Sequence, residues 1–331
     1  MRKFLKTLAL RLPVLRRLHA ERNRYAQSLA LAYDEIQILK QKIIALECTR
    51  AELASLTETI RELKEADFPV YINNGFPSFA RNEVKGLAPW VVVTIPKSGT
   101  YLTAAYLKEL GLIDSGVHLD DIGFSDYRNR TILEMVENYR EFRKIYPLRK
   151  SIKLLREGQF AVGHIGFNDQ TVTELAKSNI IFVTREIRTV MVSMMRWLSC
   201  HGRGEASHWK SIEDNQQKML AFLRESGPSL IGWFDAIAGW NTYQDALILQ
   251  FEVLTGGGGT AADLAYRVAQ ETGVGLSVQQ AADMLNKVMG QSTTTWSGKL
   301  SELNEFWSDE AEDLFRTIGG VELNQRLGYP K

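Results

Sequence analysis

WVVVTIPKSGTYLTAAYLKEL, residues 90–110, is the stretch on which the reading of the whole chain turns. Val91, Val92, Val93, Thr94 and Ile95 form a β-branched run that suits a strand buried on both faces of a parallel sheet. Pro96 has no amide hydrogen to donate and ends the ladder. Beyond the loop Pro96-Lys97-Ser98-Gly99-Thr100, the apolar residues Leu102, Ala105, Tyr106 and Leu110 recur at helical spacing, so the loop joins a strand end to a helix start. Such a junction attracts anions. The first amides of a helix have no intrahelical partner, the macrodipole is positive there, and Gly99 removes the side chain that would keep a phosphate at a distance. Lys97 adds a point charge, and Ser98 and Thr100 add hydroxyl donors. The pattern is not a Walker A loop, because the lysine precedes the glycine instead of following it. From this segment alone, an ordinary strand-loop-helix connection with a surface lysine is the plainer alternative.

Three further stretches carry chemistry. In QFAVGHIGFN, residues 159–168, Phe160, Ala161 and Val162 read as a short buried strand with His164 at its end, between Gly163 and Gly166. If this strand runs parallel to the first, His164 stands on the same sheet edge as the Lys97 loop, where ligands of open α/β sheets collect; a purely structural histidine is the alternative. In residues 179–200, Ile180 to Val183 form another buried strand, Arg185 follows it, and Ile187 to Leu198 read as a helix with Ser193 eight residues after the arginine. A guanidinium suits a phosphate because its planar fork donates two parallel bonds and keeps its charge, although pairing with Glu186 or Glu252 would also account for a buried arginine. Ala246 to Phe251 is a fourth buried run, and Ser297-Gly298-Lys299 precedes Phe306-Trp307-Ser308 near the C-terminus.

In this order, Ile95-Pro96-Lys97-Ser98-Gly99-Thr100, the strand ending at His164, Arg185 with Ser193, Phe251-Glu252-Val253-Leu254 and the Ser297-Gly298-Lys299 stretch resemble the motifs of the sulfotransferases that use 3′-phosphoadenosine 5′-phosphosulfate (PAPS). The resemblance spans residues 89–329. It implies an α/β, P-loop-like three-layer fold with a central parallel sheet, and a site in which Pro96, Lys97, Ser98, Gly99, Thr100 and Tyr101 hold the 5′-phosphosulfate. It further implies that Arg185 and Ser193 hold the 3′-phosphate, that Ser297, Gly298 and Lys299 close over it, and that His164 and Lys97 are catalytic. The family often has an Arg-Lys-Gly run where Trp296 and Ser297 stand here, so Lys299 is the residue left to supply that charge. Leu327-Gly328-Tyr329 is similar to bacterial members. The implied reaction moves a sulfuryl group from PAPS to a hydroxyl or amine, releases 3′,5′-bisphosphoadenosine and needs no metal; the acceptor is a carbohydrate, a lipid, another small molecule or a peptide. Two other classes compete: a kinase-like P-loop enzyme, which calls for an acidic strand-end residue not evident after Val183 or Phe251, and a non-catalytic coiled-coil dimer scaffold.

Around this core the chain divides into a basic N-terminal helix with a coiled coil over residues 1–66, a linker over 67–89 rich in proline, glycine and asparagine, and a catalytic domain over 90–331. Arg2, Lys3, Lys6, Arg11, Arg16, Arg17, Arg22 and Arg24 flank an apolar stripe of Phe4, Leu5, Leu8, Leu12 and Leu15. A basic amphipathic helix of this kind suits the surface of an anionic membrane, or packing on a partner helix. From Tyr25 to Leu63 neither glycine nor proline occurs, and Ile36, Leu39, Ile43, Leu46, Arg50, Leu53, Leu56, Ile60 and Leu63 follow a heptad seam with one stammer, which predicts a homodimer or a helix packed on the domain.

The 331 residues carry a formal net charge of +1, with 45% hydrophobic and 24% charged residues, so no global charge argues for nucleic acid as a partner. Cys48 and Cys200 stand in unrelated contexts, which argues against a disulfide framework and makes a reducing cytoplasm the expected compartment. No apolar run is long enough for a transmembrane helix, unlike the Golgi-anchored carbohydrate sulfotransferases. Gly111 to Asp126 reads as a polar loop whose His118, Asp120 and Asp121 are at most a weak metal candidate; Arg130 to Tyr146, Ile212 to Arg224, Ser229 to Ile237, Ala261 to Glu271 and Val278 to Met289 read as helices.

Overall fold

The computed structural model describes residues 83–127, 142–145, 147–201, 208–256, 258–289 and 303–330, with scattered positions between 13 and 43. The chain falls into two compact units, Met1–Ala66 and Asp67–Lys331. In the first, the described residues are helical, and Ile36, Leu39 and Ile43 of the expected seam are exposed. The rest of that seam, most of the basic stretch over 1–24 and the linker before Glu83 lie outside the described residues. Among the described residues no helix is long and apolar enough to cross a membrane.

The second unit is built on strand β1 (Trp90–Thr94), buried along its whole length as the valine run requires. Helix α1 (Thr100–Glu109) follows, then β2 (Ile113–Asp120), β3 (Gly123–Asp126), β4 (Arg143–Ile145), α2 (Leu148–Ile152), β5 (Gln159–Gly163), α3 (Asp169–Leu175), β6 (Asn179–Thr184) and α4 (Ile187–His201). After a 3₁₀ turn at His208–Ser211 come α5 (Asn215–Ala238), a second turn at Gly239–Thr242, β7 (Ala246–Gln250), α6 (Phe251–Thr255), α7 (Gly258–Glu271), α8 (Val278–Val288), α9 (Leu303–Phe306), α10 (Asp309–Thr317) and α11 (Gly320–Arg326).

The seven strands lie in the order β4-β3-β2-β5-β1-β6-β7. The five from β2 to β7 are parallel, and β3 and β4 add an antiparallel edge. Side chains alternate across this sheet. Trp90 and Val92 of β1, Phe160 and Val162 of β5, Ile181 and Val183 of β6, and Leu247 and Leu249 of β7 share one core with Leu102, Tyr106 and Leu107 of α1, Ala265 and Val268 of α7, and Ala281 and Leu285 of α8. The register levels the three central strands: Val93 pairs with Gly163, and Thr94 with Val183. The segments after Thr94, Gly163 and Thr184 therefore leave the sheet side by side.

Several local expectations change. Residues 111–126 are not a loop: they form the β2–β3 hairpin, in which Ser115, Val117 and Leu119 are buried on alternate positions while His118 and Asp120 face the other way. Residues 143–145, read as the end of a helix, form β4, and 128–141 lie outside the described residues. The two helices expected over 212–237 are one, α5, which runs through Pro228. Met219, Leu223, Gly227, Ile231, Phe234 and Ala238 make a buried stripe along it, and that burial outweighs the hydrogen bond that proline forfeits. Phe251-Glu252-Val253-Leu254 belong to α6 and not to the end of β7.

Candidate active site

Between β1 and α1 the chain turns through two left-handed residues, Lys97 at φ 67° and Gly99 at φ 105°. Lysine in that region is strained, and such strain persists only where the surroundings enforce it. Gly99 is required twice over, since a Cβ there would also lie 2.5 Å from the Phe251 ring. No side chain caps α1, whose first amides are left to a ligand or solvent.

The two hydroxyls of this loop do different things. Ser98 is fully buried, and its Oγ reaches the carbonyls of Ile95 at 2.6 Å and Val183 at 3.0 Å, donating into the strand ends. Its side chain therefore ties β1 to β6 instead of facing an anion. Thr100 Oγ1 lies 2.7 Å from Thr94 Oγ1, which in turn is 3.1 Å from His164 Nδ1.

His164 follows β5 directly. Gly163 allows the close approach of β2, because a Cβ there would meet the Leu119 carbonyl at 2.5 Å, and the His164 amide donates to that same carbonyl. Nδ1 lies 2.8 Å from the Thr94 carbonyl, an acceptor only, so Nδ1 carries the hydrogen and Nε2 is left with its lone pair. Burial pushes this imidazole down to about 4; the Thr94 bond opposes the shift and Lys97 adds to it. The ring is therefore neutral near pH 7.

Lys97 is half-buried, with Nζ 5.7 Å from the centroid of the Trp197 ring. Burial, and then Arg185, lower its ammonium to about 8. Arg185 is 8% exposed, donates from Nη1 to the Lys97 carbonyl at 3.1 Å, and stacks 4.5 Å from the centroid of Phe251. Its Nε is buried without a hydrogen-bond partner. The pairing with Glu186 or Glu252 that would make this arginine merely structural does not form. Glu252 accepts from the Glu186 amide and from the Tyr329 hydroxyl, while Glu186 accepts from Arg188, Asn324 and the Thr189 amide. Burial lowers the Arg185 guanidinium, and Glu252 and Glu186 act in the opposite direction without contact.

Ser193 lies half-buried in the second turn of α4. Tyr101 is the second residue of α1 and is 38% exposed; burial of its phenol pushes it up to about 12, with Tyr127 and Asp114 adding to the effect, so the hydroxyl sits toward those residues. Ser297, Gly298 and Lys299 lie outside the described residues. Thus Lys97, Gly99, Thr100, His164 and Arg185 come together at the level ends of β1, β5 and β6, and Ser98 supports them from beneath.

Against His164 stand residues that the sequence did not assign to this site. The His118 ring is 4.6 Å from that of His164, edge to face, and Trp233 of α5 meets His164 edge to face at 5.8 Å while remaining 43% exposed. Tyr127 flanks His118 at 5.9 Å. Burial and His164 hold the His118 imidazole well below its ordinary value. His118, Asp120 and Asp121 do not converge: Asp120 pairs with Arg143 at 3.0 Å, and Asp121 accepts from the Gly166 amide at 2.7 Å. The alternation of Val117 and Leu119 with His118 could have revealed the strand that aims this ring, but Trp233 stands far off in sequence on a helix expected to end and restart nearby.

No protein-family model and no curated protein matches the chain. Among solved structures it is similar to the mouse sulfotransferase SULT7A1 complexed with PAP, at 13% identity and a TM-score of 0.45, over 78% of this chain and 96% of that one. It is similar also to a retinol dehydratase in complex with androsterone and inactive cofactor PAP, at 13% identity and a TM-score of 0.45, over 80% of this chain and 94% of the other.

Proposed function

We propose that the chain is a PAPS-dependent sulfotransferase that moves a sulfuryl group to a hydroxyl or amine of an acceptor. The observation that carries this reading is the pair of cationic sites on one sheet edge: an uncapped helix start beside Lys97, and a buried Arg185 with an unpartnered Nε and no acid in contact. Two anionic groups held apart by one nucleoside suit such a pair. A site with that charge pattern and a neutral imidazole between the strand ends suits transfer of an anionic group to a neutral nucleophile.

In this reading the α1 amides, Thr100 and Lys97 hold the 5′ end, and Arg185 with Ser193 holds the 3′-phosphate. Nε2 of His164 takes the proton from the acceptor hydroxyl as its oxygen bonds to sulfur. The bond from sulfur to the bridging oxygen breaks, and Lys97 stabilises the charge left on that phosphate oxygen. The Thr94 carbonyl holds the imidazole in the tautomer this requires. Trp233, His118 and Tyr127 line the acceptor side.

The test is titration calorimetry with 3′,5′-bisphosphoadenosine and adenosine 5′-monophosphate. A charged hydrogen bond is worth about 1.5–3 kcal/mol, so two at the 3′-phosphate favour the bisphosphate by at least about a hundredfold. Arg185→Ala erases most of that preference, whereas Lys97→Ala weakens both ligands together. Equal affinities in the unmodified protein, or tighter binding of ATP with magnesium, would defeat the assignment in favour of a kinase-like enzyme.

A further inference from the structure

We infer that Tyr329 is a positioning residue for the 3′-phosphate site: by holding the Glu252 carboxylate it keeps that acid off Arg185, so that the guanidinium is available to a ligand. The inference rests on the function proposed above and concerns the Arg185 end of the site alone. Tyr329 approaches from the C-terminal end of the chain, its amide donating to the Asn324 carbonyl at 2.9 Å. Its hydroxyl donates to Glu252 Oε2 at 2.8 Å and lies 3.1 Å from Thr184 Oγ1, which can donate to it in return. Glu252 Oε1 is meanwhile occupied by the Glu186 amide at 3.0 Å.

The physical problem this arrangement addresses is specific. Glu252 adjoins Phe251, whose ring stacks under the Arg185 guanidinium, and among the acids acting on Arg185 it has the largest influence. In so dry a place opposite charges attract strongly, and a carboxylate with an idle oxygen is drawn onto the nearest guanidinium. No ion pair between the two forms among the described residues, and Arg185 Nε is left without a partner. The second acid nearby is restrained likewise, since Glu186 is bound by Arg188, itself held by Glu312, and by the buried Asn324 amide. Both restraints on the two acids thus draw on α11 and its sequel, which makes the C-terminus a device for keeping a buried cation unneutralised.

The experiment measures affinities for 3′,5′-bisphosphoadenosine and adenosine 5′-monophosphate in the unmodified protein, Tyr329→Phe, Glu252→Gln and the double variant. Phenylalanine keeps the ring and removes only the donor. Tyr329→Phe is expected to weaken the bisphosphate about tenfold or more, the effect of one lost charged hydrogen bond, while the monophosphate changes less than about twofold. Glu252→Gln in the Tyr329→Phe background restores most of the preference, because the neutral amide lacks the charge that draws the carboxylate onto Arg185. A merely structural tyrosine would give equal losses for both nucleotides and no rescue, and either result overturns the inference. An unmodified protein without any preference for the bisphosphate defeats the proposed function; a preference that survives intact in Tyr329→Phe defeats this inference alone.

Discussion

After β1 the chain begins α1 with no side chain over its first amides, whereas after β6 it begins α4 beneath two: Glu186 accepts from the Thr189 amide and Asn324 from the Ile187 amide. The two turns are neighbours, tied by the bonds from Ser98 to the Val183 carbonyl and from Arg185 to the Lys97 carbonyl. Their difference shows two ways of presenting positive charge from one topology. The first offers backbone amides and a half-buried ammonium that can titrate. The second has spent its amides on protein oxygens and offers a rigid, buried guanidinium instead. The first suits a group that changes charge during a reaction, and the second suits a fixed anchor.

That contrast is open to attack at three places. The largest effect is expected at the end of β5, beside the first turn, where His164→Ala should lower turnover about 10²- to 10⁴-fold and leave nucleotide affinity nearly unchanged. On the proposed reading the unmodified protein should lose activity as the pH falls through about 4, not through 6.5, because a base works only when neutral and burial lowers the value of this imidazole. A steady-state pH profile with an acid limb near 6.5 would show that the imidazole is less sheltered than the geometry implies.

Next is the ammonium of the first turn. With Lys97 at about 8, the empty site is largely uncharged there at about pH 9, and a bound anion draws the proton back. Binding of 3′,5′-bisphosphoadenosine at that pH should take up close to one proton, read by calorimetry in buffers of different ionisation enthalpy, and almost none about two units lower. Lys97→Met should abolish the uptake. Uptake that persists in the variant would assign the titration elsewhere and blur the division between the two turns.

The smallest effect concerns Ser98. Since its hydroxyl donates to carbonyls of both strands, Ser98→Ala should cost about 1–2 kcal/mol in denaturant unfolding with nucleotide affinity altered by less than about twofold. A selective loss of affinity would return Ser98 to the anion site.

The elements legible in the sequence are those where one local signal dominates. The apolar runs of β1, β5 and β6 announce strands covered on both faces, whereas the similar run of β7 forms an edge strand buried only at alternate residues; the glycines and polar residues after them announce the turns. The β2–β3 hairpin escaped because its glycines and acids look like a loop one residue at a time, while its identity rests on alternation and on pairing with β5. The continuity of α5 through Pro228 escaped because propensity counts the proline's cost without the buried stripe on either side of it.

The sequence by itself determined that a glycine-containing strand-to-helix turn bearing a lysine follows Ile95, that an arginine follows one buried strand and that a histidine ends another, since residue type and periodicity are local properties. Only the tertiary structure decided what those groups can do. The strand register set His164 beside Thr94 and gave it a tautomer; packing turned the Ser98 hydroxyl into the strand ends; and Tyr329 and Asn324 engage Glu252 and Glu186, neither of which pairs with Arg185. Each of these depends on which distant residue reaches a hydrogen bond first, and such competition is settled by folded geometry because spacing along the chain does not encode it.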